Sequence, residues 1–246
     1  MIVTVVGTGE CHVWWADPED RPTESLMAVL SDRELERAAR FRRDADRRRF
    51  LTGSWLLRTT CAAQLGIRPE DVVVDRACPD CDRYHGKPQI RAELPLHCSV
   101  SHSGERVVVA LTTEGPVGVD VEAVPATPVE ELARGALTPR ERAALEAFPP
   151  AGRYEAFTKV WVRKEAALKA TGHGLRISPN KVEVSGPEEE PELLSWPLDI
   201  PPAEVRFRRL SPGPGYVGAI AVIGGRGVQV VETHLSTARP AAVPAA

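Results

Sequence analysis

The sequence predicts an α/β (α+β) fold in which two similar halves share one chain. Three observations carry that expectation. Four segments recur in the same order 106 to 110 residues apart, two of the recurring pairs carry helix-end signals, and the other two are short strand-like runs.

The first pair is Leu30-Ser31-Asp32-Arg33-Glu34 and Leu137-Thr138-Pro139-Arg140-Glu141. In each, a hydroxyl residue followed three positions later by Glu matches the capping box, and Pro139 takes the favoured first helical position. The next pair, Trp55 to Gly66 and Trp161 to Gly172, reads as two helical stretches of equal length that stop at glycine. Strands follow: Pro69 to Val74 with Pro179 to Val184, and Arg106 to Leu111 with Tyr216 to Ala221. The halves are therefore residues 1–114 and 115–232, meeting at the turn chemistry of Thr112 to Pro116. Residues 233–246, an Ala/Pro-rich tail, are expected to be disordered and to carry nothing catalytic.

Composition narrows the function. In 246 residues, 31 Lys and Arg balance 34 Asp and Glu, so bulk charge does not point to nucleic acid. No signal peptide or membrane span is visible, because the apolar opening Met1 to Val6 stops at Gly7 and reads as a first strand. A cytoplasmic protein is expected. Five cysteines, an odd number, predict free thiols rather than a disulfide framework.

The chemistry concentrates between Val117 and Lys169. In the strand-like Val117-Gly118-Val119-Asp120-Val121-Glu122, period-two alternation puts Asp120 and Glu122 on one face. In the helix-like run from Phe157 to Lys169, Glu165 and Lys169 are four apart and share a face. Three carboxylates and a lysine suit a magnesium ion holding a phosphate-bearing substrate. Plainer readings exist, a solvated strand face and an exposed helix ion pair, but Phe157, Trp161, Ala166 and Leu168 make this helix too apolar to be freely solvated. Upstream, His85-Gly86-Lys87-Pro88 and Ser99 to Gly104 read as loops rich in phosphate-binding groups, and one or two arginines of the cluster Arg40 to Arg49 could grip a phosphate. Cys78 and Cys81 with His85, and His97-Cys98, could bind zinc by ligand type. The spacing after the pair is not that of a finger, so free cysteines in a loop are the preferred reading.

Val117 to Glu122 and Phe157 to Lys169 resemble the two signature motifs of the surfactin-type (Sfp-like) 4′-phosphopantetheinyl transferases, without a gap in either. The likeness extends to His85 to Pro88, Ser101 to Gly104 and Leu51 to Leu57, covering most of residues 25–225. It implies two similar α/β halves with one active site in the cleft between them. It also implies an enzyme that moves the phosphopantetheine arm of coenzyme A onto a serine hydroxyl of an apo acyl or peptidyl carrier protein, releasing 3′,5′-ADP. By the same resemblance, Asp120, Glu122 and Glu165 would hold Mg²⁺, or Mn²⁺ in its place, and Lys169 would contact the pyrophosphate. Lys87, Ser101 and His102 would hold the coenzyme's phosphates, Arg49 and Arg37 would meet the 3′-phosphate, and Phe50 stands where some members have a polar residue. Glu165 is the candidate base for the serine proton. The resemblance further implies a carrier that is acidic around its serine, and the internal repeat favours a monomer. The competing readings are a non-catalytic binding module for a nucleotide or a carrier protein, and a magnesium-dependent nucleotide phosphohydrolase.

Overall fold

Each half contributes three antiparallel strands to a sheet backed by a 22-residue helix, and the first of the two sheets has a fourth, parallel strand at its edge. The computed structural model describes residues 4–78, 81–93, 95–224 and 227–235. The first half runs β1 (Glu10–Ala16), α1 (Thr23–Met27), α2 (Asp32–Ala39), α3 (Asp44–Leu65), β2 (Val74–Cys78), β3 (Cys81–Ile90), β4 (His97–Ser103) and β5 (Arg106–Thr112). The second repeats the theme as β6 (Val117–Ala123), α4 (Glu130–Ala136), α5 (Pro139–Glu146), α6 (Pro150–Thr171), β7 (Glu183–Val184), β8 (Leu193–Ser195), β9 (Val205–Leu210) and β10 (Tyr216–Ile223). The sheet orders β1-β5-β4 and β6-β10-β9 correspond strand for strand.

The repeated sequence signals act locally. Both long helices end at a glycine in the left-handed region, Gly66 at φ 67° and Gly172 at φ 76°, where a side chain would be strained. In the capping boxes Glu34 accepts the Ser31 N–H at 2.9 Å and Glu141 accepts the Thr138 N–H at 2.8 Å. The same two carboxylates serve a second purpose. Glu34 takes Arg58 Nε of α3 at 2.7 Å, and Glu141 takes Lys164 Nζ of α6 at 2.5 Å. Arg58 also donates to the carbonyls of Pro69 and Val72, and Lys164 to those of Ala136 and Pro179. One buried ion pair thus pins a capped helix, a long helix and a proline turn in each half.

Some expectations change. His85 to Pro88 and Ser99 to Ser103 lie in strands β3 and β4, not loops. The alternation was present, since Ser99, Ser101 and Ser103 share one face of β4, but its polar residues mimic loop composition. Pro69–Asp71 and Pro179–Lys181 are single 3₁₀ turns, with strand only from Val74 and Glu183. The first strand begins at Glu10, residues 4–7 are not in a strand, and Met1 to Val3 and the tail from Ser236 lie outside the described residues. A last strand, β11 (Gln229–His234), begins in the range assigned to the second half and runs into the tail expected to be disordered, because Thr233 and His234 pair with Trp14 and Trp15; the whole strand lies parallel to β1 of the first half.

The inner faces of the sheets pack on each other. Cys11, Val13, Trp15, Val108 and Ala110 from the first half share a core with Val117, Val119, Val121, Ile220 and Val222 from the second. The outer faces pack separately, against α3 in one half and α6 in the other. Along the seam, β4 lies beside β6 without a backbone ladder between them. Ser99 Oγ accepts the Val119 N–H at 3.0 Å, Ser103 Oγ accepts the Ala123 N–H at 3.1 Å, and Ser101 Oγ donates to Asp120 Oδ1 at 2.8 Å.

Candidate active site

The site exists because α6 approaches β6 very closely at Gly118. A Cβ there would lie 2.0 Å from the Ala166 carbonyl oxygen and 2.3 Å from the Ala170 nitrogen, so any side chain would push the helix away. The approach brings Glu165 and Lys169 of α6 to Asp120 and Glu122 of β6. Lys169 Nζ donates to Asp120 Oδ1 at 2.6 Å and to Ser101 Oγ at 2.9 Å, joining the second half to β4 of the first.

These side chains line a cleft of about 250 Å³ at the seam. From the second half come Asp120, Glu122, Trp161, Glu165 and Lys169, and from the first Arg37, Phe50, Ser54, Arg76, Ser101 and His102. Burial raises the Glu165 carboxyl to about 7, with the Asp120 carboxylate pushing the same way and Lys169 partly opposing. Glu122 is also raised, first by burial and then by Asp120. His102 sits at the exposed rim, yet the surrounding protein strips enough water to lower its pKa, and Lys169 and Arg49 add to the effect.

Crowded carboxylates of this kind suit a hard cation, and two buried oxygens, Asp120 Oδ2 and Glu165 Oε1, have no hydrogen-bond partner. The donor set therefore fits a magnesium ion.

Not every residue expected at the site reaches it. Lys87 donates to the carbonyls of Val117 at 2.8 Å and Ala170 at 2.7 Å, tying β3 to β6 and to the end of α6, and is not among the cleft-lining residues. Desolvation lowers its pKa to about 8. In this structure Lys87 is a strap between the halves. Arg49 pairs with Asp46 and donates to the Gly104 carbonyl at 3.2 Å, outside the cleft lining. Arg37 does line the cleft, lying over the Phe50 ring at 5.1 Å and donating to the Tyr84 carbonyl at 3.2 Å. The sequence reading missed Arg76. It arrives on β2, its Nε is buried without a partner, and desolvation lowers its pKa. No local pattern marks it, because a single arginine in a short strand has no motif.

Beside the cleft opens a larger groove of about 690 Å³ that shares Glu122 and Trp161 with it. Leu132, Phe157, Leu175 and Pro179 line it, and Leu132 and Leu175 stand exposed.

Comparison with known proteins decides the family. The model of the 4′-phosphopantetheinyl transferase superfamily matches residues 116–221, and that of the 4′-phosphopantetheinyl transferase N-terminal region matches residues 14–114. The 4′-phosphopantetheinyl transferase HetI of Nostoc sp. is 33% identical over 226 residues, covering 87% of this chain and 88% of that protein. This chain belongs to the 4′-phosphopantetheinyl transferase superfamily. A 4′-phosphopantetheinyl transferase of Bacillus subtilis is 31% identical over 162 residues, covering 66% of this chain and 67% of the other. The Sfp transferase of Bacillus subtilis strain 168 is 26% identical over 200 residues, covering 79% and 85%. The chain is thus an enzyme of the phosphopantetheinyl transferase family, with coenzyme A as co-substrate and a carrier protein as acceptor. Among its described residues no helix is long and apolar enough to cross a membrane.

Proposed function

We propose that this transferase is of the surfactin type and that the seam cleft is its active site, with Asp120, Glu122 and Glu165 as ligands of Mg²⁺ or, in its place, Mn²⁺. The observation that carries this reading is the pair of partnerless buried oxygens on Asp120 and Glu165, in a cleft that also holds a lysine and two arginines. A divalent cation held there supplies neutralising charge to the pyrophosphate and to the leaving group.

The residues around it have separable tasks. Lys169, already on Asp120 and Ser101, presents its ammonium to the pyrophosphate oxygens. Arg76 and Arg37 offer guanidinium groups to the coenzyme's remaining phosphate, and the Ser101 hydroxyl and His102 ring offer hydrogen bonds. The carrier's serine oxygen attacks the β-phosphorus while the bond to the bridging oxygen breaks and 3′,5′-ADP departs. Glu165, directly or through a metal-bound water, accepts the serine proton. The adjoining groove, apolar and open, suits the pantetheine arm and the approaching carrier. The carrier is read as acidic around its serine. The transferase itself is read as cytoplasmic and, since both halves of the cleft come from one chain, as a monomer. A stable dimer on gel filtration overturns the last point.

The test is incubation with coenzyme A, Mg²⁺ and an apo carrier protein, followed by mass spectrometry of the carrier. A mass gain equal to the phosphopantetheine arm supports transfer. Free coenzyme fragments without that gain indicate a hydrolase, and no change indicates a binding module. Glu165→Gln is expected to lower turnover by roughly 10²- to 10⁴-fold, the range of a lost general base. Turnover near wild type at saturating Mg²⁺ removes Glu165 from both of its roles.

A further inference from the structure

The hairpin β2–β3 stands apart from the four-stranded and the three-stranded sheet as a two-stranded unit of its own. Isolated two-stranded hairpins are marginal in water, and this one is irregular, with register shifts between Asp75 and Ala77 and between Ala77 and Cys78. Yet it delivers two groups to the cleft: Arg76 on β2, and the Tyr84 carbonyl on β3 that fixes Arg37. Something should hold its outer end.

At that end Cys78 pairs across the hairpin with Cys81, and His85 lies four residues further along β3. Cys81 Sγ is 3.0 Å from His85 Nε2, and one ligand atom from each of Cys78, Cys81 and His85 lies within 4.8 Å of the others. Ligand atoms around a tetrahedral zinc stand about 3.5 Å apart by the usual Zn–S and Zn–N bond lengths, so small side-chain rotations suffice to enclose an ion. Gly86 permits the arrangement. A Cβ at that position would sit 2.5 Å from the Ala77 carbonyl oxygen, so only glycine lets β3 close onto β2 beside His85. Cys98 does not take part, since it is buried and its thiol faces the Pro88 carbonyl at 3.3 Å, and His97 falls outside the cluster.

We propose that Cys78, Cys81 and His85 form a site for a thiophilic divalent cation, zinc foremost, that clamps the end of the β2–β3 hairpin. The two free cysteines lie in strands rather than in the expected loop, and strand pairing with a histidine at the right height supplies what the linear spacing did not reveal. Three protein ligands leave a fourth position for water or another donor. The site is distinct in chemistry from the oxygen-lined cleft, so it selects a softer ion than Mg²⁺.

The experiment uses the full chain, purified under reducing conditions without chelator, and reads metal content and thiol reactivity. Cys11, Cys61 and Cys98 are buried, so in the folded, metal-free protein only Cys78 and Cys81 should alkylate quickly. Expected are stoichiometric zinc in the wild type, a loss of more than tenfold in Cys78→Ser and Cys81→Ser, and protection of both thiols that a chelator abolishes and added zinc restores. The chelator arm on the wild type keeps the test valid if a variant misfolds. Co²⁺ in place of zinc should give sulfur-to-metal charge-transfer absorption that Cys81→Ser removes. Equal, substoichiometric metal in wild type and variants overturns the proposal, as does thiol protection that only a reductant, and not a chelator, relieves, since that is a disulfide.

Discussion

Two side chains in the cleft make the chemistry quantitative. Arg76 brings a guanidinium whose Nε is buried and unpartnered, a costly state unless an anion arrives. Losing one charge-assisted hydrogen bond costs about 1.5–3 kcal/mol. Arg76→Ala should therefore raise KM for coenzyme A by roughly 10- to 100-fold while changing kcat little, which steady-state kinetics can read. An unchanged KM would place the coenzyme elsewhere. Glu165 makes a complementary prediction for the metal-free protein. Its folded pKa, about 7, lies above the ordinary carboxyl value, so the folded state holds a proton that the unfolded chain has lost. Its contribution is complete below about pH 4.5 and disappears as pH rises through 7. In EDTA, urea denaturation should show a component on the order of 2 kcal/mol, lost between pH 5 and 8. Glu165→Gln should flatten that slope, and Mg²⁺ should flatten it in the wild type by stabilising the ionised form.

At the scale of elements, the repeated unit of capped helix, long helix and proline turn rests on one carboxylate in each half. Glu34 and Glu141 both cap a helix and neutralise a buried cation, Arg58 or Lys164. Removing one partner of a buried pair typically costs about 3–5 kcal/mol, whereas replacing both by apolar residues can be neutral. Glu34→Ala should fall in that range by chemical denaturation, and the double variant Glu34→Leu, Arg58→Met should recover most of the loss. Equal destabilisation in both variants would assign the cost to the lost cap alone. These elements were legible in the sequence because capping boxes and glycine stops act within a few residues. The pairing of Asp120 with Glu122, and of Glu165 with Lys169, was legible for the same reason, since strand and helix periods fix which side chains share a face. Non-local contacts were not. Lys87 sits in a phosphate-binding motif by composition, yet the fold places it against two backbone carbonyls. Ser99, Ser101 and Ser103 looked like a loop because the hydrogen bonds that occupy them belong to β6, 19 or 20 residues further on.

The whole molecule is less divisible than its repeat suggests. The shared core draws apolar side chains from both sheets, so separating the halves would expose Trp15, Val13 and Val108 on one side and Val119, Val121 and Ile220 on the other. Each fully exposed side chain of this size forfeits about 1.5–3 kcal/mol, so these six alone forfeit about as much as the 5–15 kcal/mol that stabilises a typical domain. Two further ties cross the seam: the serine bonds from β4 to β6, and Glu232 of β11, which accepts Trp15 Nε1–H at 2.8 Å and the Ser211 N–H at 3.0 Å. Neither half should therefore survive alone. We expect one cooperative unfolding transition in scanning calorimetry, with a calorimetric enthalpy matching the van't Hoff value. We also expect Val119→Ala in the second half to lower the single Tm without splitting the peak. Two resolved transitions, or a folded fragment of residues 4–114 by near-ultraviolet circular dichroism, would mean that the halves are independent domains. The cleft would then be an interface between moving bodies, held in register chiefly by Lys169 on Ser101 and Asp120 and by Lys87 on the carbonyls of Val117 and Ala170.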